Sequence, residues 1–388
     1  MKRSPILSLM LIAVTSLLFV QCTHEIYEGA DGMDGANGID GVDGVDGDFI
    51  CQECHSDTYR TPIHEAYALS GHATGTAYGY AGTRADCAQC HNNQGYIDYF
   101  SGLYFDEDGN PTPNPEGYTN PTPLNCNGCH STHETFDFEN DGPDYALRNT
   151  EAVQLMVDDG YFIDMGFSNT CITCHQPRRT GPEDDGNGEF TITSSHWGPH
   201  HSPQVTMLEG IEGELIPGSS NYPTVGSAQH RTGSTCTGCH MGETTNGSDG
   251  NHTFNPTFNA CTACHTNGVP GEVSGLAANV DALLVLLENV IGWEYEYEVD
   301  EDGELILDED GNPIIVVDGN GDPVILEVHG ILHDGHPNTG SFGEGATFSI
   351  LDAQAAWNYL FVTEDQSGGV HNPDFAKALI NNSLEALD

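Results

Sequence analysis

The chain has 388 residues, of which only 37% are hydrophobic, with 47 Gly and 20 Pro, so a large aliphatic core is not what organises it. Lys and Arg number 9 against 59 Asp and Glu, a formal charge of -50, and Coulomb repulsion from a phosphate backbone excludes nucleic acid as a partner. In chain order, Lys2 and Arg3 followed by the apolar run Ile6 to Val20 read as a signal peptide over 1–21, too short for a comfortable membrane span. No later stretch has the apolar length of a spanning helix.

Cys22, in the context FVQC, resembles the lipidated Cys of bacterial lipoproteins, although Gln21 replaces the usual small residue; a free or intermolecular thiol is the alternative. Gly29, Gly32, Gly35, Gly38, Gly41, Gly44 and Gly47 then recur every third residue with no Pro among them. Residues 22–48 therefore read as the lipidated Cys plus an extended acidic tether, with collagen-like trimerisation as the sharper alternative.

Twelve of the 13 Cys fall into six copies of Cys-x-x-Cys-His. They are Cys51, Cys54 and His55; Cys87, Cys90 and His91; Cys126, Cys129 and His130; Cys171, Cys174 and His175; Cys236, Cys239 and His240; and Cys261, Cys264 and His265. Chance would give on the order of 0.02 such motifs in this composition. Two thiols at that spacing add across the two vinyl groups of haem, and the adjacent His is thereby held beneath the iron as proximal ligand. Zinc sites and disulfides explain the Cys pairs but not the His after each of them, and the closely packed four-Cys runs of iron–sulfur proteins are missing. Six haem c groups are the expected cofactors.

Of the 19 His, thirteen lie outside the motifs, enough to close every iron with a second imidazole. His72, His133, His196, His201, His230 and His252, set between or just ahead of motifs, are the expected distal ligands, and His64, His200 and His371 are the first replacements. His24 falls in the tether, and His329, His333 and His336 in a late loop. Beyond Lys2 and Arg3 only seven cations remain. Of these, Arg84, Arg178, Arg179 and Arg231 stand close to motif or ligand residues, where a guanidinium could pair with a haem propionate; ordinary surface pairing is the alternative.

The fold expected is mainly irregular, with short α-helices wrapped around a covalent haem array over 49–270. A segment of a helix, a β-meander insertion and C-terminal helices over 271–388 packs on it. The helices expected are Leu276 to Ile291, Ser349 to Val362 and Pro373 to Leu387; Pro373 suits a first helical turn. Between them, alternating EYEYEV, ELIL, IIVV and VILEV broken by acidic Gly turns predict hairpins near 294–328. A calcium loop at Asp308–Asn312 or Asp318–Asp322 is the weaker reading, because no Glu closes it at the twelfth position.

The stretch from His72 to His265 and the C-terminal WNYLFVTEDQSGGVHNP segment resemble the multihaem cytochromes c related to ammonia-forming nitrite reductases and hydroxylamine oxidoreductases. SGHA ahead of a motif, HWGPHHSP, the His230-x5-CxxCH arrangement and GVHNP carry that resemblance. It implies closely packed haem pairs and electron transfer along them. Nitrite reductases of that group hold the catalytic haem with Lys, whereas all six motifs here end in His, which favours an electron carrier over an enzyme. A small-molecule reductase with one open haem, and a subunit of an extracellular cytochrome filament, are the alternatives. The partners expected are other redox proteins or a terminal electron acceptor, at the outer membrane, in the periplasm or at the cell surface.

Overall fold

A computed structural model describes residues 47–289, 330–339 and 345–388, together with 294–295, 298–299, 306–307, 314, 316–317 and 325–327. The expected signal peptide, Cys22, nearly all of the tether and most of the expected hairpin segment lie outside those residues. The chain divides into two units, Met1–Ser56 and Asp57–Asp388. In the first, helix α1 (Gly47–His55) carries the first Cys-x-x-Cys-His at its C-terminal end.

The second unit opens with α2 (Asp57–Tyr67) and the single turn α3 (Gly71–Thr74), whose N-cap Ser70 accepts from Ala73 N at 3.2 Å. Each following motif lies on or at the end of a short helix: α4 (Ala85–His91), α6 (Cys126–Cys129), α7 (Asn169–Ile172), α10 (Thr235–His240) and α11 (Phe258–Thr262). One helical turn puts residues three apart on one face, so both thiols of a motif point the same way. Polar side chains start several of these helices. Asn125 caps α6, Thr257 caps α11, and Asn92 caps α5 (Asn93–Ser101) by accepting from Gly95 N at 2.7 Å. Helices α2, α10 and α11 bury no residue of their own, so helix–helix packing alone does not hold the motif region.

Aliphatic packing is concentrated in two places. A small cluster of Val153, Leu155, Ile163, Ile172 and Val205 joins the hairpin β1 (Val153–Leu155) and β2 (Asp158–Ile163) to α7 and to α8 (Gln204–Glu209). The larger core is built from α12 (Leu276–Asn289), α13 (Ile350–Glu364) and α14 (Pro373–Leu387). Helix α13 is covered nearly all round, as its apolar composition requires. Trp357 and Phe361 are fully buried, and the Trp357 indole donates to Glu212 O at 2.9 Å. Buried Asn358 accepts from Glu214 N and donates to Glu214 O, stitching the 211–216 loop to α13. Strand β3 (Glu189–Ile192) pairs antiparallel with β8 (Ala346–Ser349), which leads straight into α13 and ties it to the motif region.

The two C-terminal helices lie where the sequence places them, and α12 is described as far as Asn289. In the hairpin segment, β4 (Glu294–Tyr295) pairs with β5 (Ile325–Glu327), and β6 (Leu332–His333) with β7 (His336–Pro337). Between β4 and β5, Glu298 N donates to Ile314 O, Ile306 N to Glu298 O and Ile314 N to Ile306 O. Those bonds close a three-membered ring, which a flat meander does not contain, because a middle strand there bonds to both neighbours while the outer two stay apart.

Truncating Phe361 to Ala should cost about 3–5 kcal/mol, since its ring is fully buried in the core and meets Phe375 of α14. Chemical denaturation of the two proteins side by side measures it.

Candidate functional site

Five motif histidines in the 57–388 unit each face a histidine from elsewhere in the chain. The ring centroids are 6.0 Å apart for His91 and His200, 6.2 Å for His130 and His252, 6.2 Å for His175 and His72, 6.3 Å for His240 and His371, and 6.2 Å for His265 and His230. Two imidazoles binding one metal from opposite sides, each nitrogen ~2.0–2.1 Å from it and each centroid ~1.1 Å farther, stand ~6.2–6.4 Å apart. Chance aromatic contacts spread over ~4.5–7 Å. Five one-to-one pairs confined between 6.0 and 6.3 Å therefore fit a shared metal better than ring packing.

Hydrogen bonds fix how these rings are turned. His130 Nδ1 bonds Tyr145 O at 2.8 Å, His240 Nδ1 bonds Phe254 O at 2.7 Å, and His230 Nδ1 bonds Val370 O. His175 Nδ1 meets Gln204 Oε1 at 3.1 Å, His252 Nδ1 meets Asn251 Oδ1 at 2.7 Å, and His371 Nδ1 meets Asp365 Oδ1 at 2.6 Å. With Nδ1 held in this way, Nε2 is the nitrogen left for a metal, the arrangement expected of metal-binding imidazoles.

Ligation also needs the neutral imidazole. Burial, then the facing His175, pushes His72 down to about 4. Burial, then Arg178, His201, His91 and Arg179, does the same to His200, and burial with His130 and His64 to His252. His371 is the exception: burial lowers it, but the hydrogen bond and charge of buried Asp365 outweigh that and raise it.

The twelve motif thiols are all unbridged, and no group of three or more His, Cys, Asp and Glu among the described residues is set to hold a metal by side chains alone. A ligand set of two facing imidazoles with two thiols beside one of them matches covalent haem, whose porphyrin supplies the remaining four nitrogens. Large apolar side chains of the same region of the chain, Tyr80, Leu103, Phe105, Phe136 and Phe258 among them, are exposed.

Of the six distal candidates, His72, His230 and His252 stand opposite a motif His. Two of the others, His196 and His201, meet different partners. His133 packs against Phe136 and Phe138 and lies 3.7 Å from the Asp144 carboxylate. His196 Nδ1 meets Ser195 Oγ at 3.3 Å, and His201 Nδ1 is bonded to the Glu364 carboxylate. The places opposite His91 and His240 are taken by His200 and His371, both of them ranked as replacements on sequence. Adjacent His200 and His201 both take positive φ, 73° and 55°, so the chain turns sharply and sends the two rings in different directions. His371 directly precedes the N-cap Asn372 and Pro373 of α14, which plants it at a helix start.

The arginines also divide. The charges of Arg84 and Arg178 help to lower His91, and those of Arg178 and Arg179 help to lower His200, after burial in each case, so the positive field of three arginines reaches one pair in a strongly acidic chain. Arg231 instead meets buried Glu209 at 2.8 Å, and the Tyr161 hydroxyl donates to the same carboxylate. Replacing Arg231 with Met would leave that carboxylate buried without its cation and should cost on the order of 3 kcal/mol, read as a lower denaturation midpoint. Arg148, not singled out in the sequence, donates to Gly128 O at 2.7 Å and Asn127 O at 2.6 Å, closing the C-terminal end of α6.

No family model matches the chain, and no curated protein matches it. Among solved structures, the crystal structure of the outer cell wall cytochrome OcwA is similar to it, with 16% identity and a TM-score of 0.41 over 84% of this chain. The match takes in 50% of that structure, so the chain spans about half its length.

Proposed function

We propose that the chain is a multihaem c-type cytochrome that carries six covalent haems and passes electrons among them. The observation that supports this most is the set of five facing imidazole pairs, each joining a Cys-x-x-Cys-His histidine to a distant one at 6.0–6.3 Å. In each motif the two thiols would hold a haem through thioether bonds to its two vinyl groups, S–H adding across each double bond with nothing released. The haem, when bound, supplies an iron that cycles between ferric and ferrous. The chain's residues do the rest. The facing imidazoles would hold its iron from both sides, with the same ligands in either state. The Nδ1 hydrogen bonds hold the rings in place, and the short motif helices hold the thiols.

Closed axial positions favour an electron carrier over a reductase. A lipid at Cys22 would anchor the carrier to a membrane surface by its tether, where redox proteins or a terminal acceptor are its partners. Among the described residues no helix is long and apolar enough to cross a membrane. The test is spectroscopic. The purified chain should be red, give sharp low-spin bands on reduction, reoxidise with a chemical oxidant and ignore carbon monoxide. A strong carbon monoxide response in the unmodified protein would turn the reading towards an enzyme.

A further inference from the structure

The third of the five motifs in the 57–388 unit, Cys171–Cys174–His175, adjoins three others. The Cys174 thiol donates to Gln89 O, beside Cys90 of the His91 site, at 3.8 Å, and Ser168, three residues ahead of Cys171, donates to Thr235 Oγ1 at 3.0 Å and accepts from Thr237 N at 3.2 Å, on either side of Cys236 of the His240 site. The third link is Phe254. Its ring lies 4.9 Å from His72, which faces His175, and 5.8 Å from His252, which faces His130. Its carbonyl accepts from His240 Nδ1 at 2.7 Å. One residue thus touches the axial imidazoles of three sites.

Phe254 does this from a costly backbone. Its φ of 57° and ψ of 10° lie in the left-handed region, which an aromatic residue takes only where its surroundings impose it. The surroundings here do so: Gly250 N bonds Asn255 O at 2.7 Å, Asn251 N bonds Gly242 O at 2.7 Å, and Thr257 N bonds Cys239 O at 3.2 Å. The loop is laced to the helix that carries Cys236 and Cys239. A ring that merely filled space would need no such turn; aiming the ring at two imidazoles and the carbonyl at a third does.

We propose that the Cys171–Cys174–His175 site is the junction of the electron path, and that Phe254 is the positioning residue that joins it to the His130 and His240 sites. The path is then branched: the His91, His130 and His240 sites meet at one centre, and the His265 site continues from the His240 site, since His230 bonds the carbonyl of Val370 next to His371. This rests on the haem reading, and the two fail differently.

The test uses the full chain with its haems counted by intact mass. A wild-type protein without haem would sink the haem reading itself. With all haems present, Phe254→Ala should move the electron-spin-resonance g values of the His72/His175 and His130/His252 centres, leave the His91/His200 centre where it was, and be rescued by Phe254→Tyr. Assignment comes from single axial-His variants, and Phe254→Leu serves if the Ala variant does not accumulate. Unmoved g values, or all centres moving together, would overturn the positioning role. After flash reduction of a fraction of the haems, Cys171→Ser/Cys174→Ser should lose the phase in which electrons redistribute between the His91 and His240 centres, whereas Cys261→Ser/Cys264→Ser keeps it. Persistence of that phase in the first variant would overturn the junction.

Discussion

His200→Ala should convert one low-spin centre into a high-spin centre that binds cyanide and carbon monoxide, while His201→Ala leaves every centre low-spin. The expectation follows from where the two rings go. His200 faces His91 at 6.0 Å, whereas His201 is bonded to Glu364 on α13. Neither ring can exchange places with the other by a side-chain rotation alone, because both residues are fixed in left-handed backbone and the segment is pinned by Arg178 N to Pro199 O and by Ser202 Oγ to Gln176 O. The positive field of Arg84, Arg178 and Arg179 reaches this pair, so anionic ligands should bind the opened centre more tightly than neutral ones of similar size. Electron spin resonance and ligand titration on both variants decide it; a high-spin signal from His201→Ala would reverse the assignment.

The second large effect concerns folding. A chain with all twelve motif cysteines changed to Ser, or one made without haem attachment, should lose most of its secondary structure and become protease-sensitive across 57–268. Helix α2 and the motif helices α10 and α11 bury none of their own residues, and Tyr80, Leu103, Phe136 and Phe258 are each more than two-thirds exposed. Short helices of that kind are not stable in water without tertiary partners. The α12, α13 and α14 core is packed with its own side chains and should resist longest. Circular dichroism and limited proteolysis measure this, and a haem-free chain as folded as the native one would contradict it.

The elements that were legible in the sequence are those whose signal is local. Two thiols and a His at fixed spacing, a Pro at a first helical turn and the apolar density of 350–362 each specify a structure without reference to distant residues. The distal imidazoles are different, because pairing across more than a hundred residues, as His72 with His175 or His91 with His200, leaves no periodic trace. Between His200 and His201 the deciding feature is a pair of positive φ angles, and neither residue is a glycine that would announce them. His371 was hidden for another reason: its place depends on Asp365, six residues earlier across a turn, accepting its Nδ1 hydrogen bond. Arg231 follows a ligand histidine in the sequence and was expected at a propionate or in a surface pair, whereas its partner, buried Glu209, lies on a separate helix.

The facing imidazoles are expected to hold iron between them. Intact mass of the native protein combined with a pyridine haemochrome assay measures that most directly. The result expected is six covalently bound haems per chain, one lost for each motif whose cysteines are replaced. Native protein without haem, its thiols holding zinc or bridged to one another, would contradict the account.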